Sequence, residues 1–347
     1  MILKPSRTTI KEVAAAAGVS TMTVSRVLNE RPDVSIETRK RVKKIIEELE
    51  YQPSALARSL IQQRSYTLGV VTAGLKHIGP SRTLNGITQM AEEAGYSLLL
   101  KELPHYHTNQ TAPILQELLS RHVDGIIWAV PEIGDNHDWV NELALPLEIP
   151  IVFLTMETRE RLTIVSVDNY QGGRLVMEHL LAQGYQQIGH VAGPLDWWEA
   201  RQRMAAWRDA LTERGVVVKD AYWAEGNWSS ASGTEAAEKL FAQYPEMDAI
   251  FVGNDQMALG VLQVIHKRGL RIPTDIGIVG FDNIPEAAYF YPALTTVHQD
   301  QLEVARVAMQ EMIQIVACGW QGEEQPVPQS IMISPTLVVR ASSLKNL

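Results

Sequence analysis

Between residues 66 and 282, short apolar runs alternate with amphipathic stretches, and this rhythm limits the possible folds more than any other feature of the chain. TLGVVT (67–72), YSLLL (96–100), DGIIWAV (124–130) and IPIVFLT (149–155) each have the length of a strand, and helical patterns separate them near 80–94 and 112–121. A second set, QIGHVAG (187–193), AIFVGN (249–254) and IGIVGFD (276–282), comes after Val167, with helices near 171–183, 199–214, 232–242 and 256–268. Runs that are apolar on both faces and joined by helices belong to parallel sheets covered on both sides. Two such sets predict two lobes with a cleft between them, and ligands in open α/β sheets sit beyond the carboxyl ends of the strands.

The stretch 9–29, TIKEVAAAAGVSTMTVSRVLN, has a different texture. Val13, Ala14 and Ala17 recur at helical spacing, Gly18 supplies a break, and Ser20 stands where a helix cap belongs. The second helix turns Val24, Val27 and Leu28 inward, which leaves Thr21, Met22, Ser25, Arg26 and Asn29 on its other side. A third helix is expected over 36–50, capped by Ser35, with Val42, Ile45, Ile46 and Leu49 on one stripe. A short helix held by two neighbours, with donors and small groups on its free face, suits the major groove of DNA. Charge agrees: residues 1–64 hold 12 Lys and Arg against 7 Asp and Glu, while the rest holds 19 against 33. A basic head on an acidic body fits a polyanion touched by the head alone.

After Tyr51-Gln52-Pro53 the connector SALARSL is too short to hold a helix alone in water, which takes roughly 12–15 residues. It is expected to be helical only when something packs on it.

AGVSTMTVSRVLN (17–29) and YQPSALARSL (51–60) resemble the DNA-binding head and hinge of the LacI/GalR family of bacterial transcriptional regulators, and the similarity extends through nearly the whole chain. The resemblance implies a small all-α helix-turn-helix head (1–50), a hinge helix (51–65) and an α/β two-lobed, periplasmic-binding-protein-like core (66–347). Lobe crossings are expected near Ser166, Leu294 and Gln329. That divides the core into an N-lobe of about 66–165 and 295–328 and a C-lobe of about 166–293 and 330–340. In the head it places Arg26 and Asn29 at base edges or nearby phosphates, Thr21 and Met22 at the specificity-setting positions, and Thr9, Ser20 and Ser25 among the DNA contacts. In the hinge it makes Leu60 the wedge between base pairs, Ala57 the residue near the groove floor, and Leu56 the contact to a twin helix.

For the cleft, polar residues after strand ends are the candidates. Asn254 and Asp282 match family positions that bond effector hydroxyls, and Arg203 matches the effector-binding arginine. Asp255 and Asn283 are expected to cap helices instead. His77, Gly79, Pro80 and Thr83 align with pocket-lining positions, and Gln299 with a contact between lobes. Five of the eight tryptophans fall between 197 and 228. Trp228 matches a pocket aromatic, Trp198 and Trp197 precede Arg203 in a loop able to close over a ligand, and Trp207 is expected in the core. Glu132 lies one residue from a family acidic position, and Glu199 stands where sugar-binding relatives carry a smaller polar residue.

The function implied is a sequence-specific, homodimeric repressor that binds a pseudo-palindromic operator and answers to a mono- or disaccharide in the cleft. The alternatives are a purine corepressor and a sugar-binding module with no DNA output. An enzyme is disfavoured, because the sequence has no Gly-x-Ser-x-Gly elbow, no phosphate-cradling glycine loop and no His-Glu-x-x-His. No cofactor or metal is expected: Cys318 is the lone cysteine, and His105 and His107 have no nearby third ligand. No leader, membrane span or C-terminal leucine heptad is visible, which points to a cytoplasmic dimer.

Overall fold

The structure is a computed structural model that describes residues 8–28, 31–51, 64–106, 111–142 and 149–345. Asn29, His107 and the hinge residues Leu56, Ala57 and Leu60 lie outside the described residues. The chain divides into two compact units, Met1–Tyr66 and Thr67–Leu347.

The first unit packs α1 (Ile10–Ala17), α2 (Thr21–Leu28) and α3 (Ile36–Glu48) around Val13, Ala14, Ala17, Val24, Val27 and Val42. Thr9 starts α1 with a reciprocal cap: its hydroxyl accepts from Glu12 N–H, and its own N–H donates to the Glu12 carboxylate at 2.7 Å. Gly18 ends the helix at φ 64°, a conformation that disfavours any residue with a Cβ. Ser20 Oγ accepts from Thr23 N–H at 3.0 Å and so opens α2, as its position in the sequence suggests. Helix α3 stops two residues short of the expected end, because the chain turns left-handed at Glu50 (φ 46°).

The second unit contains two six-stranded sheets. The first is built from β1 (Thr67–Ala73), β2 (Ser97–Leu103), β3 (Gly125–Ala129), β4 (Ile151–Leu154), β5 (Thr163–Val167) and β11 (Ser330–Ile333), in the order β11-β5-β4-β3-β1-β2 and parallel throughout. The second is built from β6 (Ile188–Ala192), β7 (Trp223–Glu225), β8 (Ala249–Val252), β9 (Gly277–Phe281), β10 (Thr295–His298) and β12 (Thr336–Val338), in the order β12-β10-β9-β8-β6-β7. Only β12 runs antiparallel there. The helices are α4 (Ile78–Glu93), α5 (Thr111–Ser120), the single turn α6 (Trp139–Glu142), α7 (Asn169–Ala182), α8 (Trp198–Thr212), α9 (Ser230–Gln243), α10 (Asp255–Lys267) and α11 (Gln301–Gln321). Separate apolar clusters fill the two faces of each sheet. Ile87, Ala305 and Met309 cover one face of the first sheet and Leu115 and Leu118 the other; Trp207 and Leu240 lie on opposite faces of the second.

Three features depart from the sequence expectation. The 21-residue α11 carries a buried stripe of Val304, Ala305, Ala308, Met309 and Met312 and supplies a whole layer of the first lobe. The second lobe crossing falls between His298 and Gln301 rather than near Leu294, because 295–298 is a strand of the second sheet. The third falls between Ile333 and Thr336 rather than near Gln329, because 330–333 pairs with β5 in the first sheet. Strands of four residues carry too little periodicity to reveal their sheet.

Candidate ligand-binding cleft

Both sheets place β1 and β3, or β6 and β8, at the point where strand order reverses, and the loops leaving the carboxyl ends converge on one cavity of about 90 Å³. From the first lobe, the cavity is lined by His77, Gly79, Pro80 and Thr83 after β1 and Thr155 after β4, and Asn169 lines it at the first crossing, just after β5. From the second, Trp197, Glu199 and Arg203 follow β6, Trp228 follows β7, Asn254 follows β8, Asp282 follows β9 and Gln299 follows β10. The expected residues His77, Gly79, Pro80, Thr83, Arg203, Trp228, Asn254, Asp282 and Gln299 are therefore brought together.

Arg203 is the centre of the polar set. It is buried, donates from Nε to Asn169 Oδ1 at 2.9 Å and from Nη1 to the Gly253 carbonyl at 2.5 Å, and lies over the Phe281 ring. Its Nη1 stands 3.8 Å from Asp282 Oδ1. Burial pushes the Asp282 carboxyl above its ordinary range, and the charge of Arg203 acts against that shift. Asp282 takes a left-handed backbone (φ 106°), and Gln299 Nε2 donates to its Oδ1 at 2.5 Å. Asn254 does two things: its Oδ1 caps α10 through Met257 N–H at 2.8 Å, while its Nδ2 donates to the Trp228 carbonyl.

Rings form one wall. Trp197 meets His77, Tyr106 and Trp228 edge-on at centroid distances of 5.8, 5.1 and 5.8 Å. Trp228 is held left-handed (φ 70°) over Gly193, where any Cβ would lie 2.1 Å from the ring. Between the lobes, Ile133 bridges Trp197, Gly134 N–H donates to Asp196 O, and Trp198 N–H donates to Glu132 O.

Several assignments change. Trp198 opens α8 with its ring buried and is absent from the lining; its neighbour Trp197 takes the wall position. Asp255 is no cap: it accepts from Thr296 Oγ1 and Ile284 N–H inside the lobe, and burial pushes its carboxyl up to about 7. Asn283 does not cap a helix either, but accepts from Arg340 Nη2. Glu132 is paired with Arg159 at 2.5 Å and bonded by Glu157 N–H, away from the cavity. Trp207 is core, and its indole N–H donates to Ile188 O. Asn169 and Gln301 were missed. Asn169 directly follows the strand end IVSV-Asp168, and Gln301 follows β10 by three residues, so a rule admitting the first turn after each strand would have found both.

On the head, Thr21, Met22 and Arg26 are exposed and Ser25 half-buried, on the side of α2 away from the core. Arg26 pairs with Asp33 at 3.3 Å, and the Thr9 and Ser20 hydroxyls serve as caps. Among the described residues, no group of three or more His, Cys, Asp or Glu is arranged to hold a metal, and no helix is long and apolar enough to cross a membrane.

Comparison with known proteins adds to this picture. The family model "Bacterial regulatory proteins, lacI family" matches residues 9–54, and a periplasmic binding protein-like domain matches 177–343. The chain is 35% identical over 303 residues to catabolite control protein A of Priestia megaterium, covering 87% of this chain and 90% of that one. It is 32% identical over 336 residues to the lactose operon repressor of Escherichia coli K12, covering 97% and 91%, and 32% identical to the HTH-type transcriptional repressor PurR of Erwinia tasmaniensis, covering 96% of each. The structure of the lac repressor dimer bound to operator and the anti-inducer ONPF superposes with a TM-score of 0.84 at 32% identity over 98% of this chain and all of that one. Matched over almost its whole length, the chain belongs to the lacI family of bacterial regulatory proteins: DNA-binding transcriptional repressors that join a helix-turn-helix head to a ligand-binding core.

Proposed function

We propose that this chain is a homodimeric, cytoplasmic repressor of carbohydrate-utilisation genes whose affinity for a pseudo-palindromic operator is set by a mono- or disaccharide in the cleft. The observation that carries the sugar reading is the Arg203–Asp282 pair, set 3.8 Å apart beside the rings of Trp197 and Trp228. An arginine fork and a carboxylate together address neighbouring hydroxyls, while aromatic faces take the C–H side of a sugar ring. Asn254 and Gln299 add further polar contacts, and His77, Gly79, Pro80 and Thr83 close the opposite wall.

On the DNA side, Thr21 and Met22 choose the operator, Arg26 and Asn29 reach base edges or phosphates, and Thr9, Ser20 and Ser25 position the head. The connector acts through Leu56, Ala57 and Leu60. A ligand gripped by strand ends of both sheets favours one arrangement of the lobes and thereby changes how two connectors meet. Such coupling is typically ~1–3 kcal/mol, or about 5- to 150-fold in affinity.

The equal 32% identity to PurR makes a purine corepressor the second reading, since the same rings would stack a base. An operator selected from random duplexes and followed by fluorescence anisotropy tests both. A sugar that shifts operator affinity within that range is expected; a shift with purines alone selects the second reading, and no shift with either refutes both.

A further inference from the structure

Glu199 is the charged group of the cleft that the sugar reading leaves without work. Its side chain projects from the first turn of α8 into the cavity lining, it is 8% exposed, and its Oε2 is fully buried with no hydrogen-bond partner. A buried carboxylate oxygen with no partner is costly. The other buried acids nearby are satisfied. Asp282 has Gln299 and Arg203, Glu132 has Arg159, and Asp255 has Thr296 and Ile284 N–H.

The cations nearest Glu199 are committed elsewhere. Arg203 is fixed on Asn169, the Gly253 carbonyl and Asp282, and Arg201 donates to the carbonyls of Leu195 and Asp196. His77 does not fill the gap, because burial and then Lys76 push its pKa down and leave the ring neutral. Burial pushes the Glu199 carboxyl up to about 7; its own backbone N–H and the charges of Arg203 and Arg201 act against the shift, and Glu132 adds to it.

The surroundings suit a cation. Trp197 stands among His77, Tyr106 and Trp228, and the Tyr106 hydroxyl is a second buried polar atom with no partner. The Tyr106 hydroxyl is held over Gly74 behind the cavity lining, and burial and then the charge of Glu199 raise its pKa. Aromatic faces beside a carboxylate are the setting in which a compact ammonium is preferred to a neutral group. A ligand hydroxyl would donate one hydrogen bond, whereas an ammonium donates up to three and brings an opposite charge that favours the ionised carboxylate.

We propose that the effector bears a protonated amine, an amino sugar if the sugar reading above holds, with Glu199 as its counter-charge and Trp197 as the ring beside it, since Trp228 already has the Arg203 guanidinium 5.4 Å from its centroid. Acidic sugars and sugar phosphates are disfavoured at this corner by like charge.

Isothermal titration of the full chain with D-glucosamine and D-galactosamine, against D-glucose, D-galactose and N-acetyl-D-glucosamine, tests the proposal. The amines are expected to bind at least about tenfold tighter than the parent hexoses, with the advantage lost on N-acetylation and in Glu199→Gln. Parent hexoses binding as tightly as the amines would overturn the amine assignment and leave the sugar reading standing. An amine preference that survives in Glu199→Gln would overturn the role of Glu199. Binding by neither amino sugar would overturn the amine assignment, while the operator titration with sugars and purines decides the sugar reading separately. The comparison within the unmodified protein decides the amine question even if the variant folds poorly.

Discussion

Arg203 and Asp282 face each other across 3.8 Å, and each is braced by a residue at a crossing between the lobes. Asn169, which accepts from Arg203 Nε, begins α7 directly after the first crossing; Gln299, which donates to Asp282, lies on the second. A ligand that draws on this pair therefore pulls on two of the three segments joining the lobes.

The bracing predicts the behaviour of Asn169→Ala. Losing a hydrogen bond to a charged group typically costs about 1.5–3 kcal/mol. Ligand affinity should fall at least about tenfold as Arg203 loses its fixed orientation, with operator affinity in the absence of ligand unchanged. Calorimetry and anisotropy read the two separately, and unchanged ligand affinity would remove the bracing role.

Stability should depend on pH through Glu199. Its pKa is about 7 in the folded chain against an ordinary value of 4.5, with burial as the main cause. Between those values the folded state keeps a proton that the unfolded state releases, so stability falls as pH rises through the window and levels off above it. Glu199→Gln removes this contribution, which is on the order of 3 kcal/mol at most. Thermal melts of the variant and the unmodified chain should coincide near pH 4, with the variant more stable at pH 8. Equal melts at pH 8 would show that burial does not strain the carboxyl.

Gly193→Ala should disable the cleft while sparing the sheet. The new Cβ would meet the Trp228 ring at 2.1 Å, and a ring in van der Waals contact cannot yield that distance without leaving the wall. Ligand affinity should drop by more than tenfold, seen together with a change in tryptophan fluorescence. Retention of both would contradict the placement of Trp228.

Thr21 and Met22 are exposed on the head, Met22 to 64%, and neither supports the small core. Exchanging them should redirect operator choice, at ~1–3 kcal/mol per base contact, while the melting temperature stays put. Selection from random duplexes would show it; an unchanged consensus would move the reading surface elsewhere.

The strands that are apolar on both faces were legible because their runs have no competing helical period. Strand β10 and β11 were not, since four residues such as TTVH fit either lobe and only pairing assigns them. Adjacent polar residues were also ambiguous. Asn254, extended at φ −154°, is the cap of α10, while Asp255 turns inward to Thr296 and Ile284, a partnership set by distant segments. Trp197 and Trp198 could not be told apart for the same reason: Trp198 is the first residue of α8 and Trp197 the one before it, and sequence does not say where the helix starts. The role of Glu132 was open in the sequence, since its partner Arg159 lies 27 residues away. The outward face of α2 was legible as exposed, because Val24 and Val27 define its opposite.

The most direct test is the response of the operator complex to sugar in the unmodified chain and in Arg203→Ala, followed by fluorescence anisotropy. The account predicts that both proteins bind operator alike without ligand, and that only the unmodified chain changes its affinity, by about 5- to 150-fold, when the sugar is added. An Arg203→Ala protein that still answers to the sugar as the unmodified chain does would contradict it.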